Sequence, residues 1–144
     1  MRLRIVNTSV GFRFAEVEDA EQAAKLKPGA IYVADIKEER NPRFHRLYMS
    51  LIRNAWEMQS EKVRAFFHED IDNFRKTIQI AAGFTKPVYN LTKKEWQEEA
   101  MSIRFDSMDE LEFRDLYEKV KGVIITQFCY GPHMQEKINY INNY

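Results

Sequence analysis

The chain has 144 residues, 44% of them apolar and 13% aromatic, with 22 Lys and Arg against 22 Asp and Glu. A chain of this length and composition can bury a sizeable core, which excludes wholesale disorder, and a net charge of zero excludes a generic polycation, so nucleic-acid binding would need local charge asymmetry. No apolar run approaches the ~18–20 residues of a membrane span, the N-terminus does not read as a secretion signal, and the lone cysteine, Cys129, fits a reducing cytoplasm.

Arg2 to Val6 alternates polar and apolar residues and is expected to be a strand, with Phe12 to Val17 a second extended piece. Glu18 to Leu26 reads as a short helix ended by Lys27-Pro28-Gly29. Ala30 to Ile36 is a dense β-branched and aromatic run of strand length. Asn41 then caps the best-marked helix, with Pro42 at its first position, where a missing N–H costs nothing. Its stripe is Phe44, Leu47, Tyr48, Leu51, Ile52, Ala55 and Trp56. A second long helix is expected over Glu61 to Ala82, stopped by Gly83. Pro87 to Leu91 and Ala100 to Phe105 read as strands. The pattern Ser107-Met-Asp-Glu110 matches a capping box and opens a helix carrying Leu111, Leu116, Tyr117, Val120, Ile124 and Phe128. Gly131-Pro132 breaks it, and the polar-aromatic tail to Tyr144 suits a dimer contact or a frayed end. Strands and helices alternate without a βαβ rhythm. The expectation is an α+β fold, a small mixed or antiparallel sheet with three main helices, in a single domain over 1–144.

The strongest candidate for chemistry is the basic segment around the Asn41 helix. Arg43, Arg46, Ser50 and Arg53 are spaced three, four and three, and share a face away from the apolar stripe. With Lys37 and Arg40 just before the helix they form a candidate phosphate track, to which the first-turn N–H groups add. The same spacing suits a solvated face paired with Glu38, Glu39 or Glu57. From 37 to 64 seven basic residues meet four acidic ones, a net of +3. From 98 to 118 eight carboxylates meet two arginines, a net of −6. That stretch could repel nucleic acid, dock a basic partner, bind a divalent metal, or simply complement a helix dipole. Cys129 and His133 are four apart, but Gly131-Pro132 intervenes and no second pair completes a zinc site. No cofactor-binding motif is present. Tyr89, Trp96, Tyr130, Tyr140 and Tyr144 lie outside the helical stripes, and exposed rings can stack on unpaired bases.

Two blocks carry a family resemblance. Lys27-Pro-Gly-Ala-Ile-Tyr-Val-Ala-Asp-Ile-Lys37, leading into Arg40-Asn-Pro-Arg-Phe-His-Arg46, resembles a phage and prophage domain-of-unknown-function family with an Arg-Asn-Pro-x-Phe-His-Arg motif. Ser102-Ile-Arg-Phe-Asp-Ser-Met-Asp-Glu-Leu-Glu-Phe-Arg-Asp-Leu-Tyr117 resembles that family's second block. The family is in turn distantly similar to NinB-type phage recombination proteins, which are dimeric, non-enzymatic mediators. The resemblance implies a homodimeric cytoplasmic protein that binds single-stranded or branched DNA and assists recombination or replication. Its DNA site would comprise Lys37, Arg40, Asn41, Arg43, His45 and Arg46, with Arg53 added by helical spacing, and no catalytic residue, cofactor or metal. A host replication or single-strand-binding protein is an expected partner. The rival expectations are a small metal-dependent nuclease built on the 98–118 carboxylates and a protein–protein adaptor for host replication proteins.

Overall fold

The computed structural model describes residues 1–144, and the chain divides into two units, Met1–Ile36 and Lys37–Tyr144. In the first, strand β1 (Ile5–Thr8) pairs antiparallel with β2 (Gly11–Phe14), Ile5 opposite Phe14. The Ala15 N–H donates to the Arg4 carbonyl at 3.0 Å and extends the ladder. Helix α1 (Val17–Ala23) follows. Asp19 ties it to the hairpin, accepting from the N–H groups of Arg4 (3.0 Å) and Glu16 (3.2 Å). Asp19 is the one buried residue of this unit; Ile5, Val6, Phe12, Phe14 and Val17 are all exposed. Residues 30–36, expected as a strand, form none. The intrinsic preference is present, but strand structure needs a neighbouring ladder, and neither β1 nor β2 supplies one.

The second unit is helical around one apolar core. Helix α2 (Pro42–Glu57) starts where the sequence requires, with the Asn41 side chain accepting from the Arg43 N–H. It buries Tyr48, Leu51, Ile52 and Ala55. The expected helix over 61–82 is two helices, α3 (Glu61–Phe66) and α4 (Ile71–Ala81). His68 and Glu69 break it in left-handed conformations (both φ +56°), and Asp70 caps the new start by accepting from Asp72 N–H. With no Gly or Pro at 67–70 the break is invisible to composition; the Asp70 cap is its only local sign.

Strand β3 (Thr85–Asn90) pairs antiparallel with β4 (Glu95–Ala100), Tyr89 opposite Trp96. The second strand therefore precedes the expected 100–105 segment, which is irregular. Helix α5 (Glu110–Val123) is capped by Asp109, whose carboxylate accepts from the Glu112 N–H, rather than opening at a Ser107 capping box. It continues as a π-helical turn over Ile124–Phe128. The tail is neither irregular nor unattached: it forms α6 (Met134–Asn142), buries Ile141, and its Tyr144 hydroxyl accepts from Asn54 at 2.9 Å. The fold is α+β, with two separate two-stranded antiparallel sheets and six helices. Helices α2, α4 and α5 supply most of the core, with Phe74, Ile78, Phe113, Leu116 and Val120 fully buried. Gln79 lies among them with its amide occupied: it accepts from the Tyr48 hydroxyl (2.9 Å) and Arg75, and donates to the Met101 carbonyl (3.2 Å). That satisfies a polar group whose burial would otherwise be costly. No helix is long and apolar enough to cross a membrane.

Candidate functional site

The basic motif at the start of α2 divides into an inner and an outer set. Arg40 turns inward and is 6% exposed. Its Nη1 donates to the carbonyls of Ile103 (2.9 Å) and Met108 (3.2 Å), and its Nη2 meets His45 Nδ1 at 2.8 Å. The guanidinium lies 3.6 Å over the Phe113 ring and 4.8 Å from that of Phe105. A planar, delocalised cation suits this sandwich, where cation–π attraction adds to the hydrogen bonds. Burial lowers its pKa, partly opposed by the Glu110 and Asp109 charges. Since an arginine starts so high, it remains a cation. Its Nη donors are thus engaged inside the fold and the group is buried, so Arg40 is not placed to hold phosphate.

His45 and Asn41 belong to the same inner set. The His45 ring stacks on Phe113 (5.5 Å, 15°) and lies beside Phe105. Arginine can only donate, so His45 Nδ1 accepts and the imidazole is neutral. Its pKa is depressed by burial first, then by the nearby positive charges of Arg40 and Arg75. The Asn41 side chain caps α2, and its backbone N–H donates to Glu110 Oε2. The Glu110 N–H in turn donates to the Glu38 carbonyl at 3.2 Å, and Arg114 pairs with Glu38 at 3.0 Å. The segment before α2 is thereby latched to the first turn of α5. Glu110 Oε1 and Arg40 Nε are buried without hydrogen-bond partners, so the latch holds its two charges at some cost.

Sequence reasoning missed Glu110 and Phe113 as the centre of this arrangement. Phe113 touches Phe44, His45, Tyr48 and Arg40 at once. A sign existed: Glu110, Phe113, Tyr117 and Val120 recur at helical spacing and are all buried, so an acid sits at the head of an apolar stripe. The two sequence blocks described above meet here, one supplying Arg40, Asn41, Phe44 and His45 and the other Met108, Glu110, Phe113 and Tyr117.

The outer set is what remains for a ligand. Arg43, Arg46 and Arg53 are exposed on α2, opposite its buried face, and none is paired with a carboxylate, including Glu38, Glu39 and Glu57. Lys37 is also exposed, at the start of the second unit. A second exposed feature is the β3–β4 hairpin. Trp96 is 70% exposed and meets Tyr89 edge-on at 5.3 Å, with Lys86 on β3 and Lys93 and Lys94 in the turn.

The acidic stretch offers no ion site. Glu110 is buried on Asn41, Asp109 caps α5, Asp115 pairs with Lys119 and Asp106 with Arg104. No three His, Cys, Asp or Glu side chains converge as a ligand group. Cys129 is buried, and that burial raises its thiol pKa. His133 turns out to solvent in a left-handed conformation and meets Glu136 at 3.4 Å. The nuclease expectation thus finds no assembled centre. Comparison of the chain with models of known families, with characterised proteins and with solved structures yields no match.

Proposed function

We propose that the protein binds single-stranded or branched DNA without catalysing a reaction on it, in support of phage-type recombination or replication. The observation that carries the reading is the row of unpaired guanidinium groups, Arg43, Arg46 and Arg53, on the solvent face of α2. Three cations at helical spacing can follow a flexible phosphate backbone, where a net-neutral surface of mixed ion pairs could not. The exposed Trp96–Tyr89 pair adds rings on which unpaired bases can stack, a contact available in single strands and closed in duplex. Arg40, Asn41 and His45 serve this site indirectly: they fix where α2 begins and hence where Arg43 and Arg46 point. The two motif blocks that resemble the phage family support the biological setting.

The test is fluorescence anisotropy of a labelled single-stranded oligonucleotide across a salt series. Affinity should fall with salt by about 0.7 log unit per neutralised phosphate per tenfold change. Replacing Arg43 and Arg46 together with Ala should weaken binding at low salt and flatten that slope by about 1.4. Since neither side chain touches the core, each change should alter folding stability by no more than ~0.5 kcal/mol. Wild-type affinity and slope in the folded double variant would remove the site; no binding to single-stranded or forked DNA would remove the function.

A further inference from the structure

A cavity opens at the end of α2 remote from Arg43. Helix α2 stops at its cap residue Met58, and the chain returns to that end after Phe128, where Gly131 (φ +75°) and His133 (φ +62°) turn it into α6. The space between them is about 220 Å³ and has apolar walls of Met58, Phe128, Tyr130 and Pro132. That is below the ~300–1,000 Å³ of pockets that take drug-sized ligands, so it suits one amino-acid-sized group and not a nucleotide. No carboxylate lines it.

Two polar groups meet this apolar space. Gln59 is 6% exposed, and its Nε2 donates to the carbonyls of Ala55 (2.8 Å) and Phe128 (3.2 Å). Two acceptors on the nitrogen fix which way the amide points. The Oε1 accepts no hydrogen bond in return, and it is not sealed inside the fold. It is a preset acceptor with nothing to accept from. Lys137, in the first turn of α6, is the second group. Its Nζ donates to the Tyr130 carbonyl at 3.0 Å, which uses one of three donors and holds the ammonium at the cavity. It pairs with no carboxylate, since the neighbouring Glu136 is turned to His133.

We infer that this cavity binds the C-terminal residue of a partner polypeptide, with an apolar side chain against Met58, Phe128 and Tyr130, the terminal carboxylate on Lys137 and the residue's own N–H on Gln59 Oε1. The lining calls for an apolar body, an anion and an N–H donor together. A chain terminus brings all three on one residue. An internal Asp or Glu brings the anion without the apolar body. A free amino acid replaces the amide N–H by an ammonium, a second cation beside Lys137. Phosphate offers acceptors only, which cannot satisfy Gln59 Oε1. Met58 lies roughly 22 Å from Arg43 along α2, at ~1.5 Å per residue, so a partner held here leaves the first outer arginines open. This inference does not rest on the DNA reading.

The test titrates the full, isotope-labelled chain with acetyl-Gly-Gly-Leu bearing a free carboxylate, followed by NMR. Shifts should concentrate at residues 58–60 and 128–132 and at the Gln59 side-chain amide, with a Kd of about 0.1–1 mM. Three changes should each weaken binding about tenfold: the carboxamide of the same peptide; isocaproate, which keeps the carboxylate and apolar body without the N–H; and Lys137→Gln, which keeps a donor for Tyr130. Lys137→Gln should not weaken the carboxamide further. No shifts at about 10 mM peptide, or shifts centred elsewhere, would overturn the inference. Equal binding of the carboxamide would overturn it too, because the carboxylate would then play no part. Equal binding of isocaproate would assign the cavity to a small apolar acid instead. The two ligand comparisons use the wild-type chain, so they decide the matter whether or not the variant folds.

Discussion

Arg40 and Arg43 stand three residues apart in one basic motif and do unlike work. Arg40 is folded over Phe113 with its donors on two carbonyls and an imidazole, while Arg43 projects from α2 with no carboxylate partner. The break comes at Asn41, because the cap marks where the chain passes from an inward-facing latch to a helix with a solvent side. A run of basic residues in sequence is therefore not one surface. The inner arginine sets the position and the outer ones are available to a ligand. The contrast predicts that inner substitutions act on stability first and outer ones on binding alone.

The largest effect should come from Glu110. Glu110→Ala leaves Arg40 as a buried cation without the carboxylate that acts on it most strongly and the Asn41 N–H without an acceptor, which should cost about 3 kcal/mol in a urea unfolding experiment. Replacing Arg40 and Glu110 together with Met should cost much less, because buried ion clusters are often matched by apolar side chains of similar volume. If the double change is as damaging as Glu110→Ala, the two charges do not act as a unit. Asn41→Ala comes next. It removes the cap on Arg43 N–H and should cost about 1 kcal/mol, whereas Asn41→Gly should cost only a few tenths. Equal losses from the two would mean that the cap contributes little and that the contrast at Asn41 rests on the Glu110 latch alone.

The start of α2 was legible because its signals are local: an Asn cap, a Pro at the first position, and a periodic stripe of which Tyr48, Leu51, Ile52 and Ala55 are buried. The exposure of Arg43, Arg46 and Arg53 followed from the same periodicity. The inward turn of Arg40 was not legible, because its partners Ile103, Met108 and Phe113 lie more than sixty residues away in the chain. No short-range pattern reports such a contact. Strand β4 was missed for a similar reason. Glu95-Trp-Gln-Glu-Glu-Ala100 has little intrinsic strand character, and its pairing is imposed by β3. Residues 30–36 are the converse case, with every local mark of a strand and no ladder within the chain. Local propensity and tertiary partner have to agree before a strand forms, and these two segments show each condition failing without the other.

The smallest effect separates the inner set by pH. The folded state holds His45 neutral, with its pKa depressed by burial and by the charges of Arg40 and Arg75, while in the unfolded chain it titrates at the usual ~6.5. The contribution of the Arg40–His45 contact is therefore complete above about pH 6.5 and is lost as pH falls from there through the lower folded-state value. Protonation places a proton on the nitrogen that faces Arg40 Nη2 and sets two cations 2.8 Å apart, so the sign is fixed by the geometry. The effect is modest because the imidazole is only half-buried and water screens part of the repulsion. Unfolding stability measured at about pH 7.5 and about pH 5.5 should decline more in the wild type than in His45→Gln, which keeps an acceptor and removes the titration. The carboxylates and the exposed His68 and His133 are common to both proteins and cancel in the comparison. An equal decline would place the acid sensitivity outside the inner set. A steeper wild-type decline would tie it to the contact that fixes the beginning of α2, and through α2 to the direction of Arg43 and Arg46.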